Sequence, residues 1–398
     1  MIGLHIYLMA LLGCFFSAKE AVAQNTKLPQ SLARIHFEEL TGGVMLVRAK
    51  LEGVPDSLNF ILDTGSGGAS LDSSTVSEFN IPGRNTDTSV IGIGGVRKVP
   101  FVFDKTLSFL GINVANMNFH VTDYSLLTSV YGLKIDGLLG YSFFRQFVIA
   151  VNAEKKYLDL FAPGPYTYPK NGTIIKAHLG KVPVQQAVVS DEIKRSGNFY
   201  LDSGAGLAML FSTKYISDSA IFHRKKKMYA TQVEGMGGKV PMKITVFKKL
   251  NFAGFKFRNV PVYVFDDDNF NMLTYPRHHG LVGNELLRRF HVVYNYPDDE
   301  ICLVKNNKYH QLFDYSYAGF SIYQRNRKIM VEEVIKGAPG DVAGLKEGDE
   351  IYGVNSNISG NIQQYKDLIN VADSEVKILV IRNGEVKMLL LHTGNILK

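Results

Sequence analysis

The chain has 398 residues, of which 46% are apolar and 20% charged, a composition that indicates a folded protein and excludes a disordered one. This length is too great for one ordinary core and predicts two or three domains, while 37 glycines, 25 phenylalanines and 20 tyrosines favour turn-rich β structure. The net charge of +7 is modest, and the densest basic run, Arg224–Lys227, has no interleaved aromatic residues, so we expect a solvated loop or helix face and no nucleic-acid partner.

The first 23 residues have the features of a signal peptide. Residues 2–18 are almost wholly apolar, and the small residues Ala21 and Ala23 predict cleavage after Ala23. An alternative is Leu11–Cys14, which resembles a lipoprotein cleavage box, but two phenylalanines follow it where lipoproteins usually turn polar. We therefore expect an exported protein, periplasmic or secreted, with lipid anchoring at Cys14 as the second possibility and no membrane span once the signal is removed. With Cys14 gone, Cys302 has no partner for an intrachain disulfide.

An internal repeat organises the next part of the chain. The segment Asn59–Gly67 aligns with Asn198–Gly206. Two further pairs of glycine-rich landmarks follow in the same order and at nearly constant spacing, namely Gly92–Gly95 with Gly235–Gly238 and Gly137–Gly140 with Gly280–Gly283. A single short motif would be weak, but this ordered set predicts two related halves, residues 24–165 and 166–305.

Each half has the pattern of β structure. Val47, Ala49 and Leu51 alternate with charged residues, and Phe255 and Phe257 do the same in the second half, which is the two-residue period of a strand. Helices are expected to be few and short, near residues 141–147 and 285–290. The fold class is therefore mostly β, with two β-barrel-like lobes and a cleft between them.

The character of the chain changes after Val304. Residues 305–308 are polar, and we predict a linker over residues 306–316. Residues 317–395 are predicted to form a separate small domain. Its segments 337–339 and 343–345 resemble those of PDZ domains, which implies an α+β fold with a helix over residues 362–371.

Asp63 and Asp202 occupy equivalent positions in the repeat, and paired carboxylates suit amide hydrolysis. Two carboxylates one hydrogen bond apart cannot both stay ionised, so the pair holds one proton. The ionised partner takes a proton from a water that attacks the scissile carbonyl, and the protonated partner stabilises the oxyanion and later protonates the leaving nitrogen.

The flanking residues support this role. Gly65 and Gly204 allow tight turns, and the Thr64 and Ser203 hydroxyls are placed to bond backbone across the lobe interface. We also expect the hydroxyl of Ser66 to bond the carboxylate of Asp63. Because Ala205 offers no such donor, this predicts that Asp202 keeps the shared proton to higher pH. The glycine hairpins form two flaps that would close over a substrate, with tips at Gly92, Gly94, Gly95, Gly235, Gly237 and Gly238.

Two polar clusters were weighed as metal sites. His278 and His279 lack a ligand-spaced partner, and Asp266–Asp268 lacks the pattern of a calcium loop, so a hydrogen-bonded loop pair and a solvated turn are favoured. The glycine hairpins lack the Gly-Lys-Ser/Thr of a phosphate loop. No metal, nucleotide or organic cofactor is expected.

These motifs resemble those of retropepsin- and pepsin-like aspartic peptidases over roughly residues 35–304. Asp63–Ser66 and Asp202–Ala205 match the two active-site motifs of that family, and Gly137 and Gly280 match its apolar-apolar-glycine element. The resemblance implies a bilobal fold with both aspartates on one chain, so that dimerisation is not required. Two departures are the lack of a flap tyrosine and the polar His278–His279 before Gly280.

The last domain resembles PDZ domains, and its Ala-Gly-Leu run at 343–345 followed by Gly348 and Asp349 is typical of bacterial examples. Gly319 and Phe320 lie where such domains bind a peptide carboxylate, which implies a C-terminal or extended peptide as partner. Together the two resemblances imply an exported aspartic endopeptidase with a peptide or protein substrate in its cleft. The alternative is a catalytically silent protein that uses cleft and groove only for docking.

Overall fold

The computed structural model describes residues 29–92, 95–222, 226–235, 238–265, 277–315 and 317–397. The proposed signal peptide, Cys14, Asp266–Asp268 and the flap residues Gly94 and Gly237 lie outside these ranges, as do Arg224 and Lys225 of the basic run. Within them the chain is mostly β, as predicted, and no helix is long and apolar enough to cross a membrane.

The first lobe contains eleven strands and three short helices. In chain order they are β1 (Ser31–Glu39), β2 (Met45–Leu51), β3 (Ser57–Leu62), β4 (Ala69–Asp72), α1 (Ser73–Glu78), β5 (Ser89–Gly92), β6 (Gly95–Lys98), β7 (Phe101–Phe109), β8 (Ile112–Thr122), α2 (Ser125–Tyr131), β9 (Gly137–Leu139), α3 (Tyr141–Phe144), β10 (Val148–Asn152) and β11 (Tyr157–Phe161). A short 3-10 turn, Thr41–Gly43, connects β1 to β2. The predicted alternation is present in β2, where Val47, Ala49 and Leu51 are buried.

The second lobe repeats this plan. Its elements are β12 (Thr173–Lys176), β13 (His178–Leu179), β14 (Pro183–Ser190), β15 (Lys194–Asp202), β16 (Met209–Ser212), α4 (Thr213–Ser219), β17 (Tyr229–Gly235), β18 (Gly238–Phe252), β19 (Phe255–Phe265), β20 (Gly280–Gly283), α5 (Asn284–Leu287), β21 (Phe290–Asn295) and β22 (Glu300–Lys305). Strand β3 pairs in parallel with β9, and β15 pairs in the same way with β20. Strands β4 and β16 each run antiparallel to the same partners, so both halves have one topology.

The two halves share a continuous sheet. Strand β10 of the first half pairs antiparallel with β21 of the second, from Val148 opposite Asn295 to Val151 opposite Val292. A large apolar core extends through both halves beneath the aspartate loops. This sheet fixes the lobes relative to each other, which is what a site built from both requires.

The segment between the lobes and the last domain differs from the solvated linker expected over 306–316. Phe313 and Tyr315 are buried in the protease core. The buried guanidinium of Arg289 donates to the carbonyls of Lys308, Gln311 and Leu312 and lies over the ring of Phe313. Exposed polar residues such as His310, Gln311 and Asp314 alternate with buried aromatic ones, so the segment is anchored on the second lobe by Tyr309, Phe313 and Tyr315.

The C-terminal domain is a five-stranded antiparallel sheet with two helices and its own core. Its elements are β23 (Phe320–Arg325), β24 (Lys328–Val334), α6 (Pro339–Val342), β25 (Glu350–Val354), α7 (Ile362–Ile369), β26 (Glu375–Arg382) and β27 (Glu385–His392). Strand β23 is an edge strand, and α7, whose N-cap is Asn361, packs beside it. A bidentate ion pair joins Arg382 to the buried carboxylate of Asp349 and fixes the loop that precedes β25.

Candidate active site

The two aspartates lie at equivalent turns. Asp63 follows β3 and Asp202 ends β15, each beside the short parallel strand that begins at Gly137 or Gly280. A Cβ atom at Gly137 would overlap the carbonyl of Ser70, and one at Gly280 would overlap the carbonyl of Leu210. Only glycine therefore lets the two chain segments cross this closely in each lobe.

Thr64 and Ser203 join the two turns through four buried hydrogen bonds. The Thr64 hydroxyl donates to the Leu201 carbonyl at 2.8 Å and accepts from the Ser203 N–H at 3.0 Å. In the same way the Ser203 hydroxyl donates to the Leu62 carbonyl at 2.8 Å and accepts from the Thr64 N–H at 3.0 Å. Each hydroxyl thus bonds the backbone that precedes the opposite aspartate, and the network fixes one carboxylate relative to the other.

Two glycines let the carboxylates approach each other. A Cβ atom at Gly65 would overlap the carboxylate of Asp202, and one at Gly204 would lie 2.6 Å from Cγ of Asp63. The carboxyl groups of Asp63 and Asp202 are therefore close enough to affect each other's ionisation. A paired-acid arrangement therefore exists in this structure.

The surroundings of the two aspartates affect their pKa values differently. Burial and the neighbouring carboxyl group of Asp202 hold the pKa of Asp63 well above its usual value, and the N–H group of Gly65, which donates to Oδ1 of Asp63 at 2.8 Å, opposes this. Burial also raises the pKa of Asp202, but its Oδ1 accepts the N–H groups of Gly204 and Ala205, each at 2.9 Å, which favours the ionised form. The N–H donors therefore favour the ionised form more strongly at Asp202 than at Asp63.

This result corrects the expectation for Ser66 and Ala205. The hydroxyl of Ser66 donates to the carbonyl of Gly68 at 3.2 Å, not to Asp63. At Ala205 it is the backbone N–H, which every residue but proline has, that bonds Asp202. The expected bond from the Ser66 hydroxyl is therefore wrong, and the donors to both carboxylates are backbone N–H groups placed by loop conformation.

Both flaps are two-stranded hairpins. Gly92 pairs with Gly95 at the end of β5 and β6, and Gly235 pairs with Gly238 at the end of β17 and β18. These four glycines lie where the chain reverses. Neither tip sequence contains the tyrosine of pepsin-like flaps.

His278 and His279 brace the strand that carries Asp202. The ring of His278 stacks on Tyr200 and its Nδ1 lies 3.0 Å from the Tyr200 hydroxyl. His279 accepts the N–H of Asn198 at 2.9 Å. No cluster of three potential metal ligands occurs among the described residues. In the described part of the basic run, Lys226 pairs with Asp191 at 2.5 Å and Lys227 lies over the ring of Tyr229.

The sequence analysis missed a support behind Asp63. The hydroxyls of Ser70 and buried Tyr124 lie 2.7 Å apart, and the Tyr124 N–H donates to Asp72 at 2.8 Å. Burial, opposed by the bond with Ser70 and aided by the charge of Asp63, raises the pKa of the Tyr124 hydroxyl. The repeat gave no signal for Tyr124, because the residue at the equivalent position of the second half, 143 residues later, is Asp267.

The C-terminal domain has the loop expected at Gly319 and Phe320. Gly319 adopts a positive φ of 67°, and a Cβ atom there would overlap Ala338, so the loop requires glycine. Phe320 begins the edge strand and packs against the domain core. Beyond this loop β23 and α7 lie side by side, and we call the surface between them the PDZ groove.

Comparison with protein families agrees with this architecture. A model of the aspartyl protease family matches residues 47–143 and again residues 186–286, and a PDZ domain model matches residues 330–383. A search of curated proteins found no match. Each protease repeat contains one of the two aspartates, and the resemblance noted from the motifs is confirmed. The chain belongs to the aspartyl protease family, with two protease repeats in one polypeptide followed by a PDZ domain.

Proposed function

We propose that this protein is an exported aspartic endopeptidase that hydrolyses peptide bonds with a water activated between Asp63 and Asp202. The observation that carries the proposal is the cross-lobe network of Thr64 and Ser203, which holds two carboxyl groups of unequal proton affinity in contact. A peptide-binding protein without catalysis would have no need of this arrangement.

The different proton affinities of Asp63 and Asp202 suggest which residue makes each proton transfer. Ionised Asp202 takes a proton from the water while the oxygen of the water bonds to the scissile carbonyl carbon. At the same time Asp63 gives its proton to the carbonyl oxygen. Asp202 then passes its proton to the amide nitrogen, the C–N bond breaks, and Asp63 recovers a proton from the hydroxyl that becomes part of the new carboxyl group. The pair ends in its starting state, so the chemistry needs no cofactor.

An extended peptide or protein segment is the proposed substrate. It would lie across the cleft between the lobes, beneath the hairpins that end at Gly92 and Gly235. Because one chain supplies both aspartates, we infer that a second copy is not needed for activity. The PDZ domain suggests a further peptide-binding surface, with a C-terminal or extended peptide as its ligand.

The test is the removal of either acid. Asp63→Asn and Asp202→Asn keep the shape of the side chain but lose its proton chemistry, so each variant should fold and lose nearly all cleavage of unfolded casein. Asp56→Asn, at an exposed turn, is the matched control and should cut like the wild type. Activity close to wild type in either active-site variant would refute the paired-acid assignment.

The silent docking protein is the second candidate, because the flap sequences lack the tyrosine of pepsin-like enzymes. A protein that binds casein peptides but leaves them uncut across the acidic and neutral range would favour this candidate. Cleavage that disappears in both asparagine variants would exclude it.

Export can be tested separately. The N-terminal sequence of the mature protein should begin at Gln24 if the signal peptide is cut after Ala23. A mature chain that begins with a lipid-modified Cys14 would establish the lipoprotein alternative instead.

A further inference from the structure

The groove of the PDZ domain is occupied by the protein's own first lobe. The C-terminal turn of α2, residues Ser129–Gly132, contacts both walls of the groove, the edge strand β23 and the helix α7. These contacts lie at the end of the groove remote from Gly319, because Gln324 is near the end of β23 and Ile362 begins α7.

The contact with β23 uses its open edge. Asn326 and Arg327 both have positive φ, as in a two-residue hairpin turn, so Arg325 and Lys328 form the hydrogen-bonded closing pair. The carbonyl of the preceding residue, Gln324, therefore points away from β24. Ser129 donates its hydroxyl to this carbonyl at 2.9 Å. An added peptide strand would bond the same edge.

The contact with α7 uses carbonyls of the last turn of α2, which an α-helix does not bond within itself. Lys366 donates to the carbonyl of Val130 at 2.6 Å, and the side-chain amide of Gln363 donates to the carbonyl of Tyr131 at 2.9 Å. Gly132 ends the helix in the left-handed conformation, and a Cβ atom there would overlap Ile362 and Gln324. The turn therefore fills the space between the two walls.

Gln363 also extends this contact towards the active site. Its carbonyl oxygen accepts the N–H of Thr41 at 2.9 Å and the Thr41 hydroxyl at 2.8 Å. The next residue, Gly42, packs so closely on Gly206 that a Cβ atom would overlap it. Gly206 belongs to the loop that begins at Asp202.

The same segment is held from the second lobe. The side-chain amide of Asn284 donates to the carbonyl of Gly43, and its backbone N–H donates to the carbonyl of Ala205 at 2.7 Å. Residues 41–43 thus lie between the PDZ helix on one side and the Asp202 loop on the other.

We propose that the PDZ groove holds the α2 turn as an intramolecular ligand, and that Gln363, fixed by its contact with this turn, positions the Asp202 loop for catalysis. An external peptide that takes the remote end of the groove must first displace α2. The catalytic part of this inference rests on the proposed peptidase function, whereas occupancy of the groove does not.

Hydrogen exchange on the full mature chain tests the occupancy without any need for activity. Gly132→Ala should expel the turn and raise exchange about tenfold in β23 and α7. Gly111→Ala is the matched control, since Gly111 also has positive φ but has open space around it, and it should leave both elements unchanged. Ser129→Ala, which removes only one hydroxyl, should raise exchange at Gln324 and its neighbours if Gly132→Ala fails to fold. Wild-type protection in the folded variants would overturn the inference.

Substitutions at Gln363 test the positioning. Gln363→Ala should raise exchange in residues 203–207 and lower kcat about tenfold with KM nearly unchanged. Gln363→Glu keeps the oxygen that accepts from Thr41 but loses the amide that donates to Tyr131, so it should recover only part of this loss. Gln364→Ala removes a neighbouring glutamine that bonds only within the PDZ domain, to Asn357 and Ser359, and should match the wild type.

The outcomes separate the two proposals. A change in KM alone, or equal losses for alanine and glutamate at Gln363, would overturn the positioning role. If no variant and no wild-type protein cuts any substrate, the proposed peptidase function fails, while exchange in 203–207 and in the groove still decides whether Gln363 and the α2 turn act as inferred.

Discussion

Replacing Thr64 by valine removes one hydroxyl from the centre of the cross-lobe network and leaves its shape almost unchanged. Thr64 is fully buried, and its hydroxyl makes two of the four bonds that join the aspartate turns. Valine would leave the carbonyl of Leu201 and the N–H of Ser203 buried without these partners. The two bonds made by the Ser203 hydroxyl would remain.

The magnitude follows from the groups left unpaired. A buried polar group that loses its partner costs about 1 to 3 kcal/mol, and two groups lose theirs here, so we expect Thr64→Val to destabilise the protein by about 2 to 6 kcal/mol. Thr64→Ser keeps both bonds and loses one methyl group, for which about 1 kcal/mol is expected. Position 203 is already serine, so this control reproduces chemistry that the site tolerates.

Urea unfolding is the assay. The chain has no tryptophan, so the fluorescence of its 20 tyrosines or its circular dichroism would follow the transition. Thr64→Val should also lower kcat, since the network sets the position of Asp63 relative to Asp202. A loss of less than 0.5 kcal/mol, on the order of an ordinary surface substitution, would refute the reasoning, and so would a serine variant as unstable as the valine variant.

Three further predictions concern the pH response and the C-terminal segment. Since burial raises the pKa of both Asp63 and Asp202, both limbs of kcat/KM against pH should lie above the ordinary range of aspartate, and an acid limb within that range would contradict this. Burial lowers the pKa of His120 to about 4, so the unfolded chain takes up a proton at this residue at higher pH than the folded protein does. The free energy of unfolding should therefore fall by up to about 3 kcal/mol as the pH drops from 6.5 towards 4. In urea titrations His120→Gln should flatten this dependence of stability on pH, and an unchanged dependence would contradict the prediction. Phe313→Ala, in the core beside Arg289, should cost about 3 to 5 kcal/mol, whereas the exposed Leu312→Ala should cost less than about 0.5 kcal/mol, and equal melting curves for the two would show that the segment is not packed.

The features that could be predicted from the sequence are those that occur in both halves of the repeat. The pairing of Asp63 with Asp202 followed from ordered landmarks, and the same landmarks predicted a β fold of two related lobes. The short helices α3 and α5 were expected near their observed positions because apolar residues follow Gly140 and Gly283 in both halves. Duplication thus supplied a second sample of each motif, which a single sequence otherwise lacks.

Features outside the repeat were harder to predict. The polar residues 305–308 suggested a solvated linker, because composition cannot show that Arg289 bonds three carbonyls of the following segment. In the same way nothing in the sequence of α2 indicates that its last turn lies in the PDZ groove. Both are tertiary contacts between segments far apart in the chain, and they depend on backbone carbonyls that every residue possesses.

The hydrogen bonds of the two aspartate turns show why a symmetric motif gives an asymmetric site. In the second turn the N–H groups of Gly204 and Ala205 both donate to Oδ1 of Asp202. In the first turn Gly65 donates to Oδ1 of Asp63, but the N–H of Ser66 bonds the backbone carbonyl of Asp63 at 3.2 Å. A small difference in turn geometry therefore gives the carboxylate of Asp202 two N–H donors and that of Asp63 one. Because two adjacent carboxylates cannot readily both stay ionised, this difference in donors favours Asp202 as the ionised partner.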